Sequence, residues 1–172
     1  MISKKMTKAL TQQINAELYS GYLYFSMSSY ATSIGLRGTA HWMFTQAQEE
    51  TAHALKQCQY LQSQGEHVVL AAIEQPPATF ESALDMFEQV LKHEKKVTAA
   101  INALTKLSVE ENDYATQIFL QWFVTEQVEE EEHAFEIAGR LKMIGASTGA
   151  LLYIDKELGK RAFTLPEGVK LG

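Results

Sequence analysis

Glu49-Glu50-Thr51-Ala52-His53 lies in the middle of a stretch patterned as a helix from about Thr39 to Gln64. Residues three apart share a helix face, so Glu50 and His53 project side by side. A carboxylate and an imidazole placed that way can grip one metal ion. Such a pair also arises by accident in many helices, where a solvated face is the ordinary reading. The rest of the chain shifts the balance, because three other helical stretches each set a carboxylate in the middle of an apolar stripe.

The first of these runs from about Ser3, a candidate N-cap, to Ile34, with Gly35 as its stop. Leu10, Ile14, Glu17, Gly21, Tyr24, Ser28 and Ala31 fall on one face, flanked by Leu18, Tyr22 and Phe25. Glu17 therefore points inward, with Tyr24 two turns along the same stripe. A short link, Gly35 to Gly38, makes the second helix an antiparallel neighbour, with Thr39 as its expected cap. Its inner face is Met43, Ala47, Glu50, Ala54, Gln57 and Leu61, with Gln46 and His53 beside it.

Glu66 to about Phe80 is aperiodic and carries Pro76-Pro77. A helix of about 27 residues is roughly 40 Å long, and extended chain covers ~3.3 Å per residue. This link can therefore travel the whole bundle and set the second and third helices parallel. The third helix is expected from about Glu81 to Leu107, with Leu84, Phe87, Leu91, Glu94, Thr98 and Ile101 inward and Glu94 at the centre. Ser108 with Glu111 reads as a capping box, and Asp113 as another cap.

The fourth helix, about Asp113 to Ile144, holds Glu126-Gln127-Val128-Glu129-Glu130-Glu131-Glu132-His133. The register Phe119, Phe123, Gln127, Glu130, Ala134, Ile137, Leu141 is apolar at both ends, so Gln127 and Glu130 point inward and His133 outward. After Gly145, a short fifth helix is expected from Gly149 to Leu158, capped by Thr148. It has little left to pack on within its own chain, so its burial is expected against other subunits. The polar tail after Gly159 is expected to fray.

The whole 172-residue chain thus reads as one all-α domain: a four-helix bundle with one long crossover and a short fifth C-terminal helix. A net charge of −6 argues against nucleic acid as a partner and agrees with cations. A single cysteine, Cys58, excludes an intrachain disulfide and any cysteine-held cluster. The N-terminus has no apolar run after its lysines, and no stretch approaches the roughly 20 apolar residues of a membrane span. A cytoplasmic location is the default expectation.

Glu17, Glu50, Glu94 and Glu130 then meet at one depth, with His53 and Gln127, and no basic residue lies on those stripes. Four buried carboxylates cannot stay ionised unaided. Two divalent cations would balance them. The oxygen-rich set with one nitrogen suits Fe²⁺, Fe³⁺ or Mn²⁺. Tyr24 reads equally as a core tyrosine or as a residue that hydrogen-bonds a ligand or gives an electron.

On these residues the chain resembles the ferritins, and specifically the bacterial non-haem ferritins, over nearly its whole length. The second Glu-x-x-His motif of related di-iron bundles is replaced here by Gln127-x-x-Glu130, which is the ferritin form. Ala52 stands where bacterioferritin carries its haem-ligating methionine, so no haem is expected. The resemblance implies iron storage with ferroxidase activity, O₂ or H₂O₂ as oxidant, and a mineral core inside a shell of 24 subunits. It implies one iron site at Glu17, Glu50 and His53, and a second at Glu50, Glu94 and Glu130 with Gln127 nearby. It implies a third at Glu49, Glu126 and Glu129, sharing Glu130. The alternatives are a di-iron or di-manganese enzyme acting on peroxide or an organic substrate without storage, and a plain helical interaction module. The last leaves the four carboxylates unexplained.

Overall fold

The computed structural model describes residues 2–170. Five helices appear in the order α1 (Lys4–Ser33), α2 (Arg37–Ser63), α3 (Ala83–Glu110), α4 (Tyr114–Ile144) and α5 (Thr148–Leu158). Ser3 caps α1 by accepting the Met6 N–H, Ser82 caps α3 through Asp85 N–H, and Asp113 caps α4 through Thr116 N–H. Each serves a donor that the first helical turn leaves unpaired.

The crossover behaves as its length requires. Asn15 holds Ala71 and Ala72, Ser26 donates to Pro77 O, and Tyr30 donates to Phe80 O. The segment therefore climbs along α1 from its N-terminal half to its C-terminal end. Lys4 pairs with Glu66 at one end, and Ser28 donates to Ala40 O at the other, so α1 and α2 are antiparallel. With Tyr30 beside Phe80 and Ser20 beside His93, α3 runs antiparallel to α1 and hence parallel to α2.

Several expected boundaries shift. α2 begins at Arg37, and Thr39 is inside it rather than its cap. Ser108 lies within α3, so the Ser108–Glu111 capping box does not form; Glu111 instead accepts the Ser3 hydroxyl at 2.5 Å. Ser147 rather than Thr148 caps α5.

The fifth helix also finds a seat on its own chain. Asp155 accepts the N–H groups of Gly38 at 3.0 Å and Thr39 at 2.7 Å, together with the Thr39 hydroxyl at 2.8 Å. A carboxylate from α5 thus supplies the cap that α2 lacks locally and sits at the positive end of its dipole. Gly38 makes the approach possible, since a Cβ there would lie 1.6 Å from Asp155 O. Ile154 and Leu158 are buried beside it, while Leu152 and Tyr153 stay exposed. The sequence pattern missed this because the contact is made by a carboxylate and a glycine, not by an apolar stripe.

The tail is a second correction. Rather than fraying, it lies back along α2. His41 Nε2 donates to Arg161 O at 2.7 Å, Lys56 donates to Glu167 O, and Gln59 exchanges two hydrogen bonds with Lys170. Phe163 and Leu165 close one side of an apolar groove with Tyr22, Phe25, Phe44 and Leu55. Leu171 and Gly172 lie outside the described residues.

The core is split in two along the bundle. One apolar cluster holds Leu23, Met27, Met43, Phe87, Val90 and Ile137. The other holds Leu10, Ile14, Ala54, Val97, Ile101 and Phe123. On all four long helices the polar layer of Glu17, Glu50, His53, Glu94, Gln127 and Glu130 falls between them.

Candidate metal centre

Each helix brings one carboxylate to this layer because a single polar residue interrupts its apolar stripe. Glu17, Glu50 and Glu94 are at most 1% exposed, and Glu130 is 6% exposed. Close approach of α1 and α2 is permitted at Gly21, where a Cβ would meet Ala47 O and Thr51 Oγ1 at 3.2 Å.

Three groups of side chains can each offer one ligand atom with all three atoms within 4.8 Å of one another: Glu17, Glu50 and His53; Glu50, Glu94 and Glu130; and His53, Glu126 and Glu130. Glu50 belongs to the first two, as a bridging ligand must. Glu130 and His53 belong to the third as well. Of the remaining residues in the expected outer set, Glu129 is exposed and Glu49 is half-buried. Neither joins one of these groups, and Glu49 accepts a hydrogen bond from Arg161.

Amides hold the carboxylates in place. Gln13 and Gln57 donate to Glu17 Oε1 at 3.0 and 2.9 Å. Gln46 donates to Glu50 Oε1 and Glu130 Oε1, each at 2.8 Å. Gln127 donates to Glu94 Oε2 at 3.3 Å, and the Tyr24 hydroxyl donates to Glu94 Oε1. His53 packs edge-on against Trp122, with ring centroids 5.3 Å apart, and its Nδ1 lies 3.7 Å from Glu50 Oε2. Gln13 escaped the sequence reading, although its position four residues before Glu17 was a usable signal.

One oxygen of Glu17, of Glu50 and of Glu130 has no hydrogen-bond partner: Oε2 in each case. Buried acceptors are normally satisfied. Here each carboxylate uses one oxygen for an amide and leaves the other free, the pattern a cation would complete. Charge says the same. Burial, reinforced by the charges of Glu94 and Glu17, raises the Glu50 carboxyl well above its ordinary value. Burial raises Glu94 to about 7, although the bonds from Tyr24 and Gln127 oppose the rise. Burial and the charges of Glu50 and Glu94 raise Glu130. Burial, then the Glu94 charge, holds the Tyr24 phenol protonated. No lysine or arginine enters this layer among the described residues, so only protons or bound cations can neutralise it.

A four-helix bundle with a long crossover and a carboxylate layer of this kind defines the ferritin-like class. The model of the ferritin-like domain matches residues 7–144. A bacterial non-heme ferritin of Campylobacter jejuni is 40% identical over 91% of this chain and 93% of its own length. One from Bacteroides fragilis is 40% identical over 94% of this chain and 100% of its own. Among solved structures, an engineered closed form of the Archaeoglobus fulgidus ferritin superposes with a TM-score of 0.94 at 50% identity, covering 95% of this chain and 100% of its own. The open-pore ferritin of the same archaeon gives 0.93 at 49% identity, over 94% and 100%. The chain belongs to the ferritin family, the iron-storage proteins. No helix among the described residues is long and apolar enough to cross a membrane.

Proposed function

We propose that this protein stores iron by oxidising Fe²⁺ at the carboxylate layer and holding the ferric product as oxyhydroxide mineral within a shell of 24 copies. The observation that carries the reading is the set of orphaned oxygens: Glu17 Oε2, Glu50 Oε2 and Glu130 Oε2, buried among groups too close to ionise together. Fe²⁺ is the substrate. Glu17, Glu50 and His53 hold one ion; Glu50, Glu94 and Glu130 hold the other, with Gln127 orienting Glu94.

Each Fe²⁺ gives one electron. Two together reduce O₂ to H₂O₂, or H₂O₂ to two waters, with protons taken up at the reduced oxygens. The protein sets distance, charge and geometry, and the metal supplies the redox chemistry. Hydrolysis of the ferric ions releases protons, and the product leaves toward the interior. Tyr24 holds Glu94 in place through its hydroxyl. A third iron position draws on His53, Glu126 and Glu130, with Glu49 and Glu129 nearby.

A double substitution tests this. Glu50→Ala with His53→Ala removes the shared ligand and the nitrogen donor. It should lower the initial rate of Fe²⁺ oxidation by roughly 100-fold or more while the assembly keeps its size. Oxidation at the unaltered rate would show that the chemistry lies elsewhere.

A further inference from the structure

The C-terminal tail delivers one side chain to the edge of this site. Arg161 donates from Nη2 to Glu49 Oε2, and its guanidinium lies 4.4 Å from the centre of the Trp42 ring. The Arg161 and Glu49 side chains are only 18% and 16% exposed. Arg161 Nη1 is buried with no partner among the described residues. The backbone is pinned at the same point by His41, which donates to Arg161 O at 2.7 Å.

Glu49 is one turn from His53 on α2 and beside Glu50. It is the carboxylate that would extend the outer group of His53, Glu126 and Glu130, which offers three ligand atoms and leaves Glu130 Oε2 unpartnered. Further along the tail, Lys56 donates to Glu167 O while its ammonium lies 4.5 Å from the centre of the Trp122 ring, which itself packs on His53. The tail therefore covers the α2 face that carries Glu49. It also sets a fixed positive charge on Glu49, a carboxylate on which the charges of His53 and Glu126 act as well.

We propose that Arg161 is a resident counter-cation for the outer carboxylate group. It holds Glu49 on the tail, so that a third metal ion at His53, Glu126 and Glu130 binds weakly until the tail is displaced. This rests on the paired-site reading above. A guanidinium suits the task because it is permanently charged, forms directed bonds to a carboxylate and stacks on an indole. A cation arriving at the outer group must overcome its repulsion and forgo Glu49. The tail thereby sets the order in which positions fill, the paired site first and the outer one later. Arg161 acts through Glu49 and is a positioning residue.

The test uses the full-length assembled protein stripped of metal, with Zn²⁺ as a redox-inert probe, read by titration calorimetry and by anomalous diffraction at the zinc edge. In the unaltered protein the two inner positions fill first, and the outer one fills only at excess zinc. Arg161→Ala should leave the inner two unchanged and tighten the outer one by roughly tenfold, with Glu49 turned toward the zinc. Arg161→Lys, which keeps the charge, should restore much of the weak binding. Adding Glu49→Gln to Arg161→Ala should remove most of the gain, whereas a merely loosened tail would leave it in place.

An outer affinity indifferent to Arg161, with the inner pair occupied in both proteins, overturns the inference alone. An outer zinc ligated by Glu49 in the unaltered protein also overturns it. Zinc absent from Glu17, Glu50 and His53 in both proteins overturns the paired-site reading, and the inference with it.

Discussion

The Tyr24 hydroxyl donates a hydrogen bond to Glu94 Oε1 across the α1–α3 contact, at the boundary between the polar layer and one half of the apolar core. That bond favours the ionised carboxylate, so it opposes the burial that lifts Glu94 to about 7. Tyr24→Phe removes it without creating a cavity of any size. Glu94 should then hold its proton to higher pH. Binding of a probe cation at the second position should begin at higher pH than in the unaltered protein, and the initial oxidation rate near neutral pH should fall roughly tenfold. A pH series of zinc binding checks the first point, and an unmoved onset would mean that Tyr24 does not tune Glu94.

The metal-free protein should lose stability as pH rises. Glu50, Glu94 and Glu130 all have folded-state values raised above the ordinary carboxylate. In the unfolded chain they release protons near the ordinary value of about 4.5, while the folded protein still holds them. Their contribution is thus complete at low pH and is lost as pH climbs above about 4.5, the Glu94 share going near 7 where that carboxyl ionises. Bound cations replace those protons, so the gain in melting temperature on adding Zn²⁺ should widen over the same window. Melting curves at matched pH, with and without zinc, show whether the two lines diverge.

Function and stability should conflict at Glu50. Glu50→Gln keeps the shape and removes one of the crowded ionisable groups. Fast oxidation should be lost, while the metal-free protein at pH 7.5 becomes more stable by about 1–2 kcal/mol, or roughly 2–8 °C in melting temperature. A variant less stable than the parent would show that Glu50 serves the fold and not a bound cation.

Gly38 carries a different prediction. With 1.6 Å between a Cβ and Asp155 O, Gly38→Ala must push α5 off the start of α2 and strip its borrowed cap. The cap alone accounts for about 1–2 kcal/mol. Asp155→Asn, which keeps the shape, should cost less. Because α5 also carries the chain into the tail, Gly38→Ala should loosen residues 159–170 as well. Amide exchange along the tail and size-exclusion chromatography of both variants report the outcome.

Much of this was legible in the sequence because the bundle obeys one period. Glu17, Glu50, Glu94 and Glu130 each stand in a regular apolar stripe, so four separate helices pointed to one layer. The crossover could be placed from its length alone. The seat of α5 and the course of the tail obey no period. Gly38 meets Asp155 and Glu49 meets Arg161 across 117 and 112 residues of sequence, separations that no local pattern encodes. Glu49 shows the same divide. The sequence put it next to Glu50 in an acidic run, but only the fold reveals that an arginine from the tail has engaged it.

In the function proposed for this protein, the carboxylate layer oxidises iron and the assembled protein then stores it. Aerobic addition of Fe²⁺ to the metal-free protein, with hundreds of ions offered per chain and absorbance of the ferric product followed in time, tests it most directly. Rapid oxidation of about two ions per chain should be followed by slower continued uptake, with all iron remaining soluble and eluting with the protein. Rapid oxidation that stops at about two ions, with later iron precipitating outside the protein, would contradict storage and leave a di-metal redox enzyme in its place.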